Sequence, residues 1–200
     1  VSGLPPDTAG TASLSLAVPA VSGGKPETVV VPRSDELADY VAELVERAER
    51  VRNRAVRPEE DNMLAVAGDG RRAALDLRLV GRPPDPEGGK VAAAAGRIAT
   101  IWAEHRDREY LDALGVEASR RGSLQLVFCD LGTPRPGWSV YEELRAQLVA
   151  RGLPAESVRF VHEAGDDRAK AELFAAARDG RVSVLVGSTE KMGVGTNVQH

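Results

Sequence analysis

The chain has 200 residues, 42% of them apolar, which allows one sizeable core and a small appendage. A net charge of −4 excludes a strongly basic nucleic-acid coat, so any such contact has to be local. No apolar run reaches the roughly 18 residues of a membrane span, a single Cys rules out an intramolecular disulfide framework, and no N-x-[ST] sequon occurs. With no signal peptide read at the start, the expected location is the cytoplasm, with no membrane partner. Val1 in place of a start Met reads as a processed chain or an excised fragment.

Residues 1–27, rich in Pro, Gly, Ser and Ala without period, read as a flexible linker. Residues 28–31 read as a short strand ending at Pro32. Ser34 then caps a helix whose first turn carries Asp35 and Glu36, where negative charge suits the helix end. Leu37, Tyr40, Val41, Leu44, Val45, Ala48 and Val51 fall on one face. On the other, Glu43 with Arg47 and Glu46 with Arg50 form i,i+4 pairs, so this charge run reads as a solvated face. Gly68, Asp69 and Gly70 mark a turn, with a short helix expected over 71–79. Pro83, Pro84 and Pro86 break the chain before Gly88, Gly89 and Lys90. A second long helix follows, with Val91, Ala94, Ala95, Ile98, Ile101 and Trp102 at helical spacing. Residues 28–122 together read as a helical linker or insertion.

From residue 124 the pattern becomes regular: strands over 124–129, 158–162 and 182–186, and helices over 139–151 and 167–178. Ser139 with Glu142 forms a capping box, and Gly152 and Gly180 stand where helices end. Apolar strands separated by such helices imply an α/β fold of parallel βαβ units with right-handed crossovers. The carboxyl ends of the three strands then share one edge. Loops 130–133, 162–165 and 187–195 converge there, on the edge where open α/β sheets bind ligands.

The last of these loops is the most informative. Val182, Val184, Leu185 and Val186 empty into a stretch holding Gly187, Gly193 and Gly195, together with Ser188, Thr189, Lys191, Thr196 and Asn197. Such loops offer N–H groups and hydroxyls to phosphate or sugar. It is not a P-loop, since Met192 stands where the second Gly belongs and Gly193 where the Lys belongs. Nor is it a dinucleotide fingerprint, since Val198 replaces the third Gly. Plainer roles are available for every residue. The glycines suit a tight turn, Ser188 and Thr189 a helix cap, and Lys191 a solvated surface. Cys129 reads as a small buried hydrophobe, and Trp102 and Trp138 as packing. His105, His162 and His200 lack metal-ligand spacing. Among Asp130, Asp166 and Asp167, which raise the question of Mg²⁺, the last two suit a helix N-terminus.

Ser188, Thr189, Gly193, Gly195 and Asn197 resemble motif V of the superfamily II helicases and translocases, nearest the Swi/Snf-type branch. LVFCDLGTP, at 126–134, resembles motif IV, and FVHEAGDDRAKAELF, at 160–174, resembles the strand and helix that come next. Gly88, Gly89 and Lys90 with their helix resemble the lead-in to motif IV. Residues 61–64 and 68–80 are similar to the large helicase–methylase proteins of bacterial mobile elements and phages.

The resemblance implies an incomplete RecA-like (P-loop NTPase-type) C-terminal lobe over 123–200, cut before motif VI, of an ATP-dependent DNA helicase or translocase. In it Gly132, Thr133, Ser188, Thr189 and Lys191 contact nucleic acid, while Gly193, Gly195 and Asn197 contact the nucleotide. ATP and Mg²⁺ are implied only together with an N-terminal lobe that carries the P-loop and the Mg²⁺ carboxylates, so the chain alone is expected to be inactive. Implied partners are DNA, with RNA left open, the N-terminal lobe, and the methylase domain fused in that branch. Two other readings stay open: a non-hydrolytic α/β module that binds a nucleotide, phosphate or protein partner, and a nucleotide-sugar transferase lobe.

Overall fold

The computed structural model describes residues 24–111 and 117–192. Residues up to Val30 form one unit and those from Val31 onward another. In the first, the strand expected over 28–31 does not form, and Val29 and Val30 are exposed. A strand needs a neighbour to complete its ladder, and among the described residues none pairs with this segment.

The second unit begins with α1 (Asp35–Arg52), capped as expected: the Ser34 hydroxyl oxygen accepts the Leu37 N–H at 3.3 Å. Tyr40 and Leu44 are buried with Leu37 and Ala48 against them. Val41 and Val45 face solvent, so the buried stripe is narrower than the apolar one. The charged face is not merely solvated. Arg47 passes over Glu43 and reaches Asp61 with Nε and Nη2 (2.9 and 3.0 Å) and Asp69 with Nη1 (2.8 Å). These bonds hold the Asp61 and Asp69 carboxyls below the usual carboxylate range. Glu43 pairs with Arg82 instead.

Asp69 lies inside a helix, not in a turn. α2 (Met63–Leu75) runs through Gly68 and Gly70, and the expected helix over 71–79 is its second half followed by a 3₁₀ turn, Leu77–Val80. Each glycine costs a helix interior about 1 kcal/mol relative to Ala. Two features offset that cost. Asn62 caps the helix by accepting the Ala65 N–H at 3.0 Å. Val66 and Ala73 are buried in one core with Tyr40 and Leu44. Gly70 faces Leu44, where an added Cβ would make an ordinary van der Waals contact at 3.6 Å, so the position does not require a glycine.

α3 (Gly89–His105) buries Val91, Ala95 and Ile98 against α4 (Val140–Ala150). Between them, β1 (Glu109–Leu111) and β2 (Glu117–Arg121) form an antiparallel pair that the sequence reading did not anticipate. The main sheet holds β3 (Gln125–Phe128), β4 (Val158–Phe160) and β5 (Val184–Gly187) in the order β3-β5-β4, all parallel. The strand expected over 158–162 stops at Phe160, and His162 falls in a 3₁₀ turn, Val161–Glu163. α5 (Asp167–Arg178) is capped by Asp166, which accepts the Ala169 N–H at 2.7 Å.

Both faces of β5 are covered, whereas Leu126 and Phe128 of β3 stay exposed. Val184 and Val186 join Val158 and Phe160 in the core shared with α3 and α4, whereas Leu185 packs with Leu173, Phe174 and Ala177 of α5. β5 is buried along its whole length, which its unbroken apolar run requires. The fold is a mixed α/β one, and among the described residues no helix is long and apolar enough to cross a membrane.

The helical segment packs on this sheet unit. Leu75 and Leu79 lie against the α3–α4 core. Arg78 bonds Asp76 through Nε and Nη2 (2.9 and 2.8 Å) and Glu143 through Nη1 (2.8 Å), with its guanidinium 4.1 Å over the Trp138 ring. Gln147, Trp138 and Arg78 together hold the Glu143 carboxyl below its ordinary range.

Replacing Arg47 with Met leaves two carboxylates without their shared cation. The expected loss is about 1–3 kcal/mol, read as a lower urea midpoint with unchanged slope. Arg47→Lys recovers only part of it, because an ammonium lacks the fork that spans both carboxylates. A variant as stable as the parent means that apolar contacts alone hold α1 to α2.

Candidate functional site

Parallel pairing aligns the carboxyl ends of β3 and β5, and the chain continues the zipper past β3: the Cys129 N–H donates to the Gly187 carbonyl at 2.9 Å. Asp130 therefore stands beside the loop that leaves β5. Its Oδ1 accepts the Thr189 N–H at 2.7 Å, and its Oδ2 accepts the Thr189 hydroxyl at 3.0 Å. The sequence reading brought these two loops together and named Thr189, but missed Asp130 as its partner. An Asp directly after a strand, level with a Ser-Thr pair on the adjacent strand end, is the signal that could have found it.

Ser188 is buried, and its Oγ accepts the Lys191 N–H at 3.2 Å, so it caps the short helix α6 (Thr189–Met192). The plainer role weighed for Ser188 is thus the one its hydroxyl performs. Thr189 is exposed, but its N–H and its hydroxyl are both engaged with Asp130. Lys191 is exposed and makes no ion pair among the described residues. Gly193, Gly195 and Asn197, expected at the nucleotide, lie outside the described residues.

Two glycines at this edge serve close approach. Gly187 is the last residue of β5, and a Cβ there would sit 2.5 Å from Met192 Cγ, so its bareness lets α6 fold back onto the sheet. Gly132 has φ +63, its carbonyl accepts the Val140 N–H at 3.1 Å, and an added Cβ would lie 2.3 Å from Val140 Cγ2. Gly132 thus sets the turn into α4. Thr133 beside it is half-buried.

Beneath the edge, Tyr141 is fully buried and its hydroxyl donates to the Cys129 carbonyl at 2.6 Å. Burial, then the nearby Cys129 and Asp130, push its phenol up from 10. Burial also pushes the Cys129 thiol up, which makes it a poor nucleophile, and the thiol donates to the Leu131 carbonyl at 3.2 Å. The Tyr141 ring meets Phe160 and His162 edge-on, each at 5.3 Å between centroids. His162 keeps a buried Nδ1 with no hydrogen-bond partner, and burial first, then Lys191, lower its pKa below 6.5. Near neutral pH the imidazole is uncharged, and Lys191 is the cation of this corner. Among the described residues no three His, Cys, Asp or Glu side chains are grouped to hold a metal.

The arrangement offers a shallow polar edge. Among the described residues it has the Lys191 ammonium, the half-buried Thr133 and the Asp130 carboxylate already bonded to the β5 loop. Trp102 and Trp138 lie against the core, each under an arginine, and do not form a stacking platform at this edge. No family model, curated protein or solved structure matches the chain.

Three variants test this geometry. Gly132→Ala forces a Cβ into Val140 at a positive φ, with an expected loss of about 1–3 kcal/mol in thermal or chemical unfolding. Thr189→Val removes one bond to Asp130, and about 0.5–1.5 kcal/mol is expected. The lowered pKa of His162 means that the native state takes up its proton later than the unfolded chain. Its stabilising contribution is complete above about pH 6.5 and is lost as pH falls through the lowered native value. His162→Gln should flatten that segment of the stability–pH curve, and an unchanged curve would show that His162 titrates as a free imidazole.

Proposed function

We propose that this chain is part of the C-terminal RecA-like lobe of an ATP-dependent DNA helicase or translocase, inactive by itself. The observation that supports this reading most is the adjacency of β3 and β5 in a parallel sheet. It brings the Asp130–Thr133 corner and the Ser188–Lys191 loop to one edge, bonded through Asp130 and Thr189. The motifs these segments resemble have to meet at such an edge to grip one nucleic-acid strand. Lys191 and Thr133 supply the phosphate contacts in this reading, with Gly132 shaping the turn. ATP and Mg²⁺ act only when a second lobe brings a P-loop and Mg²⁺ carboxylates, since phosphoryl transfer rests on positioned charge from both sides. A fused DNA methylase would accompany it in the branch that residues 61–64 and 68–80 resemble.

One observation favours a second reading, a non-hydrolytic α/β module that binds a phosphate, nucleotide or protein partner. Both Thr189 donors are satisfied internally, so the described part of the β5 loop offers a nucleic-acid strand neither of them.

Fluorescence anisotropy with labelled single- and double-stranded DNA separates the readings. The expected result is weak, sequence-independent binding whose log K falls with log[salt] at a slope of about −1 to −3, the signature of a few phosphates. Lys191→Glu should abolish it, and phosphate release from ATP should stay at the buffer background. Nanomolar, sequence-specific binding overturns the helicase reading, as does ATP turnover that survives repurification and vanishes in the Lys191 variant.

A further inference from the structure

A groove of about 220 Å³ opens between α1 and the segment after the Leu77–Val80 turn, remote in sequence from the sheet edge. Tyr40 and Leu77, both more than nine-tenths buried, floor it, and Pro83 walls it. Its rim is a single stripe of α1: Glu36, Asp39 and Glu43. A cation already sits there. The Arg82 guanidinium lies 5.3 Å from the Tyr40 ring centroid and pairs with Glu43.

That single cation leaves the rim unbalanced. Glu36 lies in the first turn, where a helix favours negative charge. Asp39 and Glu43 lie beyond it, four residues apart with like charge, an arrangement that weakens a helix. Among the described residues Glu36 and Asp39 have no hydrogen-bond or ion-pair partner. Arg82 compensates Glu43 but leaves Glu36 and Asp39 unanswered, and a local rule only half compensated is the mark of a surface kept for something else.

We propose that this groove docks a basic peptide segment of another protein, with one arginine side chain seated beside Arg82. The incoming guanidinium bonds Glu36 and Asp39, and its stem covers Tyr40 and Pro83, repeating on the open half of the groove what Arg82 does on the other. Arginine suits the seat better than lysine, because its planar fork both pairs with carboxylates and stacks on a ring. A carboxylate rim repels nucleic acid, so the groove is separate from any phosphate contact at the sheet edge. Either surface can fail its test without the other.

The test is an NMR titration of the whole chain with the acetylated, amidated pentapeptide Gly-Ser-Arg-Ser-Gly at low salt. Shifts confined to residues 36–43 and 77–83 are expected. The double variant Glu36→Gln with Asp39→Asn should weaken binding about fivefold, the worth of one exposed ion pair. Arg82→Gln, which vacates the occupied seat, should tighten it. The same peptide with citrulline for arginine should produce no shifts. Shifts scattered over the surface, undiminished binding by the double variant, or equal binding of the citrulline peptide each overturn the proposal. So does spermidine that reproduces the same shifts at equal affinity, since a site answering to charge alone does not read a peptide.

Discussion

The structure depends on one insertion: β5, the last of the described strands, lies between two strands made earlier. β3 and β4 share no ladder with each other, and each is held to the sheet only through β5. The pairing extends beyond the ladder, with the Gln125 N–H on the Ser183 carbonyl at 2.8 Å and the Ser183 N–H on the Ser157 carbonyl at 2.9 Å. The side chains of β5 alternate into both cores, Val184 and Val186 toward α3 and α4, Leu185 toward α5. Neither core is complete until residues far apart in sequence have met, which raises the entropic cost of the first native contacts. The same insertion makes the candidate site, since Asp130 and Thr189 are neighbours only because β3 and β5 are.

A second constraint is scarcity of aromatic side chains, 4% of the chain, against an abundance of arginine. The few rings are used twice. Their faces or edges fill the cores, and guanidinium groups cover what is left: Arg78 over Trp138, Arg82 over Tyr40, and Arg145 over Phe160 at 3.8 Å. Each of these arginines also pairs with a carboxylate from elsewhere in the chain, Glu143, Glu43 and Glu163 respectively. The long side chains thus extend small cores outward, and the charge they carry is spent internally.

What the sequence disclosed follows from how local each signal is. α5 was readable at both ends because Asp166, its cap, and Gly180, just past its end, act within one turn of the helix they bound. The parallel sheet was readable because three apolar runs separated by helices admit few other topologies. α2 was misread because Gly68 and Gly70 are turn residues by propensity, and the contacts that hold the segment helical, Arg47 to Asp69 and Tyr40 and Leu44 against Val66 and Ala73, come from a different helix. The i,i+4 pairing of Glu43 and Arg47 failed for a similar reason: both found better partners at long range, in Arg82 and in Asp61 with Asp69. At the site, the convergence of loops was legible but its wiring was not. Gly187 looked like a loop glycine, although its role is to admit Met192, a contact only the folded chain contains.

The wiring decides how much the edge can bind. Thr189 offers one N–H and one hydroxyl, and Asp130 takes both with an ionised carboxylate, the stronger class of acceptor. An incoming phosphate has to displace that carboxylate to use these donors. The displaced Asp130, anchored to β3, then stands as a like charge beside the anion that replaced it. Thr189 is therefore a costly phosphate donor, and the Ser188 hydroxyl is already accepting the Lys191 N–H as a cap. Among the described residues of this loop, Lys191 bears the remaining attraction. His162 beside it is kept neutral by burial and adds a second positive charge to the corner only in acid. Acid therefore strengthens the field at the edge while it weakens the packing beneath it, because the proton that attracts an anion is the one that buried His162 is least able to hold.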